Sequence, residues 1–248
     1  MDHPFDRPIV LSIGGHDPSG GAGLNADLKT FEQFRVYGLS VCSALTVQND
    51  DQFEAIEWTN PQLIIDQIDI LARKFQPVTA KIGIVENLDV LEQAVNRLKH
   101  HWPKLKIVWD PVLKASAGFV FHETQPKDNI NGIMEQLYIV TPNEQEYQAW
   151  FADWNHHKPA IYRKGGHQDG PQAIDRILIG KTAIELSAER LPVHKHGSGC
   201  VLSAALCSAL AEGLDLTAAC MRARAYTRTF LTSNESLLGY HAYAEKTS

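Results

Sequence analysis

Arg7-Pro8-Ile9-Val10-Leu11-Ser12-Ile13, followed at once by Gly14-Gly15-His16-Asp17-Pro18-Ser19-Gly20-Gly21-Ala22-Gly23, decides the fold. The first run is almost wholly apolar, too short for a buried helix and long enough for a strand covered on both faces. The glycine-rich run is a turn, and the residues after it continue as a helix through about Phe34. A buried strand, a glycine turn and a helix open a βαβ unit. The alternation recurs outward from there. Residues 36–47 read as a strand with a break near Gly38, and Phe53–Trp58 as a short alternating strand. Asn60-Pro61 supplies an N-cap and a first helical position. The helix it opens places Leu63, Ile64, Ile68 and Leu71 on one face. Residues 78–84 read as a strand, 88–99 as a helix and 105–109 as a strand. Residues 138–140 are a strand, Asn143 opens a helix towards Phe151, and Ala160–Arg163 is another strand. Residues 173–178 and 182–186 make a hairpin around Gly180-Lys181, and helices at about 198–212 and 216–231 close the pattern. The expectation is an α/β fold: a central, mostly parallel β-sheet covered by helices on both faces.

Composition sets the limits. The 248 residues suit one large domain spanning 1–248, and 44% hydrophobic with 21% charged residues is an ordinary globular balance. A net charge of −6 argues against a broad nucleic-acid footprint. No apolar run approaches the length of a membrane span, and Met1-Asp2-His3-Pro4 does not read as a signal peptide, so the cytoplasm is the expected location. Cys42, Cys200, Cys207 and Cys220 show no CxxC spacing and no disulfide framework. Cys42, Cys207 and Cys220 read as small buried apolar residues. The adjacent pairs His100-His101 and His156-His157 are poor metal sites, because neighbours in sequence do not share a helix face.

In parallel sheets the ligand crevice lies beyond the carboxyl ends of the strands. The chemistry-bearing residues fall there: the 14–23 turn with Asp27 beyond it, Gln48-Asn49, Asp110-Pro111-Val112, Thr141-Pro142-Asn143 with Glu146, and Lys164-Gly165-Gly166-His167. The last place is His196-Gly197-Ser198-Gly199-Cys200, which opens a long helix of small and apolar residues. Backbone N–H groups at such a helix start are unpaired and attract anions. Cys200, in the first turn, is expected to have a lowered thiol pKa. A phosphate cradle beside a reactive thiol suggests phosphoryl transfer. Each place also has a plainer reading. Asn143 and Glu146 form a capping-box pattern, Asp-Pro is a common turn former, and Asp27 could be a solvated helical carboxylate. Neither GxxxxGK[ST] nor GxGxxG occurs, so a nucleotide site here is of another kind.

Taken together, residues 14–23, Ala26-Asp27-Leu28-Lys29-Thr30, Val47-Gln48-Asn49, Lys81-Ile82-Gly83, Asp110-Pro111-Val112, Thr141-Pro142-Asn143, Lys164-Gly165-Gly166-His167 and 196–200 resemble the hydroxymethylpyrimidine and phosphomethylpyrimidine kinases of thiamine biosynthesis, in the ribokinase-like superfamily. The resemblance is collinear and runs from about Pro8 to Leu231. It implies ATP and Mg2+ as cofactors and an aminopyrimidine alcohol, with its monophosphate, as the small-molecule substrate. A pyridoxal-type kinase and a non-catalytic pyrimidine sensor are the alternatives. Cys200 stands where sugar kinases of the superfamily carry aspartate, which favours the pyrimidine acceptor. By resemblance, Gly15, Asp27 and Gln48 would hydrogen-bond the aminopyrimidine, and Ile84 and Val112 would pack on its ring. Asn143, Glu146, Lys164 and Asp110 would serve the ATP phosphates, with Asp110 and Glu146 holding Mg2+ directly or through water. Gly197, Ser198, Gly199 and Cys200, with Lys164, would surround the transferring phosphoryl group. A homodimer is implied in the same way. Ser198 replaces the family's usual threonine. Residues 144–163 are shorter than in relatives, which implies an open or Trp-shaped adenine side. Asn234, Leu237 and Tyr240, beyond the last helix, read as surface.

Overall fold

The computed structural model describes residues 6–113, 130–152, 154, 158–166 and 170–242. The elements are β1 (Ile9–His16), α1 (Gly23–Gln33), β2 (Tyr37–Gln48), β3 (Phe53–Trp58), α2 (Pro61–Ala72), β4 (Thr79–Ile82), α3 (Leu88–His101) and β5 (Lys106–Trp109). They continue as α4 (Ile130–Met134), β6 (Ile139–Val140), α5 (Glu144–Trp150), β7 (Ala160–Arg163), β8 (Gln172–Ile179), β9 (Thr182–Glu189), α6 (Ser198–Ala211) and α7 (Leu216–Leu231). One sheet joins the strands in the order β3-β2-β1-β4-β5-β6-β7-β8-β9. From β2 through β7 neighbours are parallel, and the antiparallel β3 and the β8–β9 hairpin form the flanks.

The layers follow from strand alternation. Ile9, Leu11 and Ile13 of β1 join the core under α2 and α3, while Val10 points to the core under α1, α6 and α7. Residues 201–210 of α6 are all buried, because this helix packs on the sheet at β4 and β5, beside α1, and is covered by α7. β1 pairs with β2 on one side and β4 on the other, so the chain reverses its winding there and a crevice opens beyond the strand ends. Among the described residues, no helix is long and apolar enough to cross a membrane.

Four expectations change. β1 runs on through Gly14, Gly15 and His16, so the glycine turn begins later than the sequence suggests. β2 has no break at Gly38; a Cβ there would stand 2.7 Å from Phe31 Cδ2, so the glycine admits α1 against the strand. Leu63 of α2 is exposed, and Ile64 and Ile68 carry the burial. α4 was not legible in the residues between 109 and 138.

Candidate active site

Side chains cap the N-termini of α2, α3, α5 and α7: Asn60, Asn87, Asn143 and Asp215. No side chain caps α1 or α6. Their starts meet, since a Cβ on Gly197 would collide with the Gly21 carbonyl oxygen and Ala22 Cα. Gly197 also has φ +74°, a conformation that glycine adopts without penalty. Two helix dipoles without side-chain caps therefore converge on one place beyond the sheet, a setting suited to an anion.

Lys164 and Asp110 stand at this place. A Cβ on Gly199 would lie 3.6 Å from Lys164 Nζ and 4.0 Å from Asp110 Oδ2. Lys164 Nζ is 2.8 Å from Asp110 Oδ1 and 3.9 Å from Glu146 Oε2. Asp110 also accepts from Thr141 Oγ1 and Ser203 Oγ, each at 3.0 Å. Three residues beyond the last β6–β7 pair, an isolated parallel bridge joins Asn143 to Lys164 and sets α5 beside the lysine. Burial works against the charge of Lys164, but Asp110 and Glu146 outweigh it and raise its pKa. Burial raises the pKa of the Glu146 carboxyl, with Lys164 pulling the other way.

The capping box expected of Asn143 and Glu146 is formed: Asn143 Oδ1 accepts from Glu146 N at 2.9 Å, and Glu146 Oε2 from Asn143 N at 2.7 Å. Both side chains are thus committed to starting α5. Asp110 is likewise filled by three donors. Among the described residues no group of three or more His, Cys, Asp or Glu could hold a metal ion by itself; the two carboxylates offer hard oxygens of the kind Mg2+ takes together with phosphate and water.

Cys200 departs from expectation. Its thiol receives the Gly23 N–H at the start of α1, yet its pKa is raised. Burial is the main cause, and Asp27 and Asp110 add to it, against Lys81 and that N–H. The group is a thiol, not a ready thiolate.

Asp27 departs too. It has no exposed surface, and its carboxylate holds Lys81 Nζ at 2.5 Å and Ser12 Oγ at 2.6 Å. It forms a buried ion pair beneath the site, not the solvated carboxylate of the plainer reading. Burial pushes the Asp27 carboxyl up against the pull of Lys81 and Ser12. Burial also opposes the charge on Lys81, but Asp27, Cys200 and Asp110 outweigh it and keep the ammonium above the usual lysine range. Sequence reasoning gave Lys81 and Ser12 no role. The available signal was a lysine inside the otherwise apolar 78–84 strand.

The expected ring-binding residues lie at the strand ends around the β1–β4 crevice. A Cβ on Gly15 would stand 2.5 Å from Ile84 Cδ1, so these two touch. Ile84 and Val112 line one cavity with Trp109 and Trp150. Gln48 is half-buried at the end of β2, where its amide donates to Thr46 Oγ1 at 2.9 Å. Phe151 is buried, and Trp150 and Trp154 pack against the same core. The Trp-rich segment thus faces inward at these positions. Asp153, Asn155, His156, His157 and His167 lie outside the described residues. Beyond α7, Lys195 Nζ holds Asn234 O at 2.5 Å and Oδ1 at 2.6 Å, and His196 N donates to Leu237 O at 2.9 Å. Asn234 and Leu237 therefore back the α6 turn, and only Tyr240 is the exposed residue expected.

Residues 17–244 match the family described as phosphomethylpyrimidine kinase. A hydroxymethylpyrimidine/phosphomethylpyrimidine kinase of Rhizobium meliloti (strain 1021) is 32% identical over 250 residues, covering 92% of each chain. One from Salmonella typhimurium is 31% identical over 221 residues, covering 82% of each. A solved phosphomethylpyrimidine kinase of Clostridium difficile 630 is similar with a TM-score of 0.73 and 31% identity, over 90% of this chain and 98% of that one. The pyridoxal kinase of Staphylococcus aureus in complex with pyridoxal has a TM-score of 0.79 at 21% identity, over 96% and 94% of the two chains. At that identity the likeness is one of fold, which is ribokinase-like.

Proposed function

The chain belongs to the phosphomethylpyrimidine kinase family, and on that premise we propose that it moves the γ-phosphoryl group of ATP to 4-amino-5-hydroxymethyl-2-methylpyrimidine and then to the resulting monophosphate, yielding the pyrimidine diphosphate for thiamine biosynthesis. The observation that carries this reading is the pair of uncapped helix starts, α1 and α6, closing on Lys164 and Asp110.

In each transfer the acceptor oxygen, the alcohol's in the first step and one of the monophosphate's in the second, forms a bond to phosphorus as the bond to the ADP oxygen breaks. The transition state is loose, so positioning and charge neutralisation supply most of the rate. The N–H groups of Gly199 and Cys200, with the Gly197-Ser198 turn around them, donate to the phosphoryl oxygens, and Lys164 neutralises them from the side. Its pairing with Asp110 keeps the ammonium charged and aimed. Cys200 Sγ, protonated at neutral pH, orients the acceptor hydroxyl, and the hydroxyl proton passes late to an oxygen of the transferred phosphoryl group. Gly15, Gln48, Ile84 and Val112 form the ring side. Gly15 offers close approach, Gln48 an amide that can both donate and accept, and the two aliphatic residues an apolar wall. Asp27 serves from below, by holding Lys81. Asp110 and Glu146 would hold Mg2+ through water, where it would neutralise phosphate charge when bound with the nucleotide; Asn143 stands at the same rim.

All four cysteines are free, which fits a reducing cytoplasm. Exposed Leu45 and Val47 on β2 support a homodimer. We read residues 1–248 as one kinase domain.

The test is ATP consumption by the purified chain with Mg2+, offering the hydroxymethylpyrimidine, pyridoxal and ribose in parallel and resolving products by mass. Mono- and then diphosphate of the pyrimidine is the expected result, lost on adding EDTA. A preference for pyridoxal would overturn the substrate assignment. Pyrimidine binding without turnover would leave a sensor.

A further inference from the structure

Asp17 and His196 are both buried, lie far apart in the chain, and meet at 2.9 Å between Oδ2 and Nε2. Asp17 gathers the glycine turn around itself. It accepts from Ser19 N and Oγ at 2.8 Å, from Gly21 N at 3.1 Å and from Ala22 N at 2.8 Å. Burial alone would raise the pKa of the Asp17 carboxyl, but the hydrogen bonds from His196, Ser19 and Ala22 lower it on balance, so it is ionised. The His196 ring packs on Gly21; a Cβ there would stand 2.6 Å from His196 Cδ2 and 2.7 Å from Leu238 Cδ2. One residue later Gly197 touches Gly21 and Ala22. The turn before α1, the turn before α6 and the 234–238 segment are thus knotted at one point.

His196 Nδ1 is buried and has no partner among the described residues. A proton there would be a stranded donor, so the bonding places the shared proton on Nε2, donated to Asp17. Enclosed in this way, the ring cannot exchange protons with a substrate. Its work is geometric.

We propose that Asp17 and His196 are positioning residues for phosphoryl transfer: their buried hydrogen bond fixes the start of α1 against the start of α6, so that the two sets of N–H groups and Cys200 keep one spacing. This rests on the functional reading above. The phosphoryl oxygens would feel a shift of either turn directly, while ATP held elsewhere along the rim would not.

The experiment compares wild type, His196→Ala, His196→Gln and Asp17→Asn as full chains. Steady-state constants for the pyrimidine alcohol and ATP are measured, together with amide hydrogen exchange. Expected for His196→Ala is a kcat at least tenfold lower with the ATP KM within about twofold, and faster exchange at residues 19–22 and 198–201 but not in β4 and β5. His196→Gln, whose amide N–H can still reach Asp17, should recover much of kcat. Wild-type kcat in His196→Ala, or a lowered melting temperature with both constants unmoved, overturns the proposal. So does equal loss in the Ala and Gln variants. Should His196→Ala not fold, Asp17→Asn gives the same split, because it keeps the volume and weakens the bond. If wild type phosphorylates none of the alcohols, the functional reading fails, and the exchange pattern still decides whether the clamp exists.

Discussion

At the scale of single residues, Cys200 shows how environment overrides position. Two helix starts point at it, an arrangement that by itself lowers a thiol pKa. Burial and the nearby carboxylates Asp27 and Asp110 prevail, and the thiol stays protonated. Two outcomes follow. Iodoacetamide should modify Cys200 slowly at pH 7, and the rate should climb only above the ordinary thiol range of about 8.5; fast labelling at neutral pH, followed by mass spectrometry, would refute this. Cys200→Ala should lower turnover strongly while nucleotide binding by calorimetry is retained, and unchanged turnover would remove the thiol from the mechanism. Gln48 is the complementary case on the ring side. Gln48→Ala should raise the pyrimidine KM far more than the ATP KM, because the amide lies at the end of β2, away from Lys164; equal changes would contradict its placement.

At the scale of elements, β4 and α1 are joined by a charge pair inside the core. Lys81 and Asp27 have at most 1% exposed side-chain surface. Removing one partner of such a pair leaves an uncompensated charge, at a cost of about 3–5 kcal/mol. Lys81→Met should therefore show that loss in urea unfolding, and adding Asp27→Leu should restore much of it. A single variant as stable as wild type would mean the pair is not charged. The junction of α7 with the segment after it supplies a pH response. His241 accepts or donates at Tyr226 OH, 3.0 Å away, and lies on the Phe230 ring. Burial, aided by Lys29, lowers its pKa to about 4 from an ordinary 6.5. Between those values the unfolded chain binds the proton and the folded chain does not, so stability falls as pH drops from about 6.5 towards 4. His241→Phe keeps a ring against Phe230 and should flatten that limb of melting temperature against pH. An identical slope in the variant would exclude His241 as its source.

At the scale of the whole molecule, the sheet order assembles a site from residues spread over most of the chain. The reversal of winding at β1 opens the crevice, and every strand from β2 to β7 delivers its carboxyl end to the same rim. The sequence by itself determined the alternation of strands and helices, the parallel sheet, and the rim where polar and glycine-rich residues collect. Those features depend on local periodicity, caps and turn chemistry, which neighbouring residues carry. It also identified Asn60 and Asn143 as caps, because an N-cap acts within its own turn. It could not say which strand-end groups were already engaged. Asp27 took a partner from β4, Asp110 took three from β6, β7 and α6 flanks, and Asp17 took one from residue 196. Leu63 lies one residue, about 100° of helix rotation, from Ile64, and the packing of α2 buries Ile64 and Ile68 and leaves Leu63 exposed. Pairing across long sequence separations and the depth of burial belong to tertiary structure alone. Desolvation scales with that depth, and so it is tertiary structure that decided the protonation of Cys200 and gave Asp27 its buried partner in Lys81.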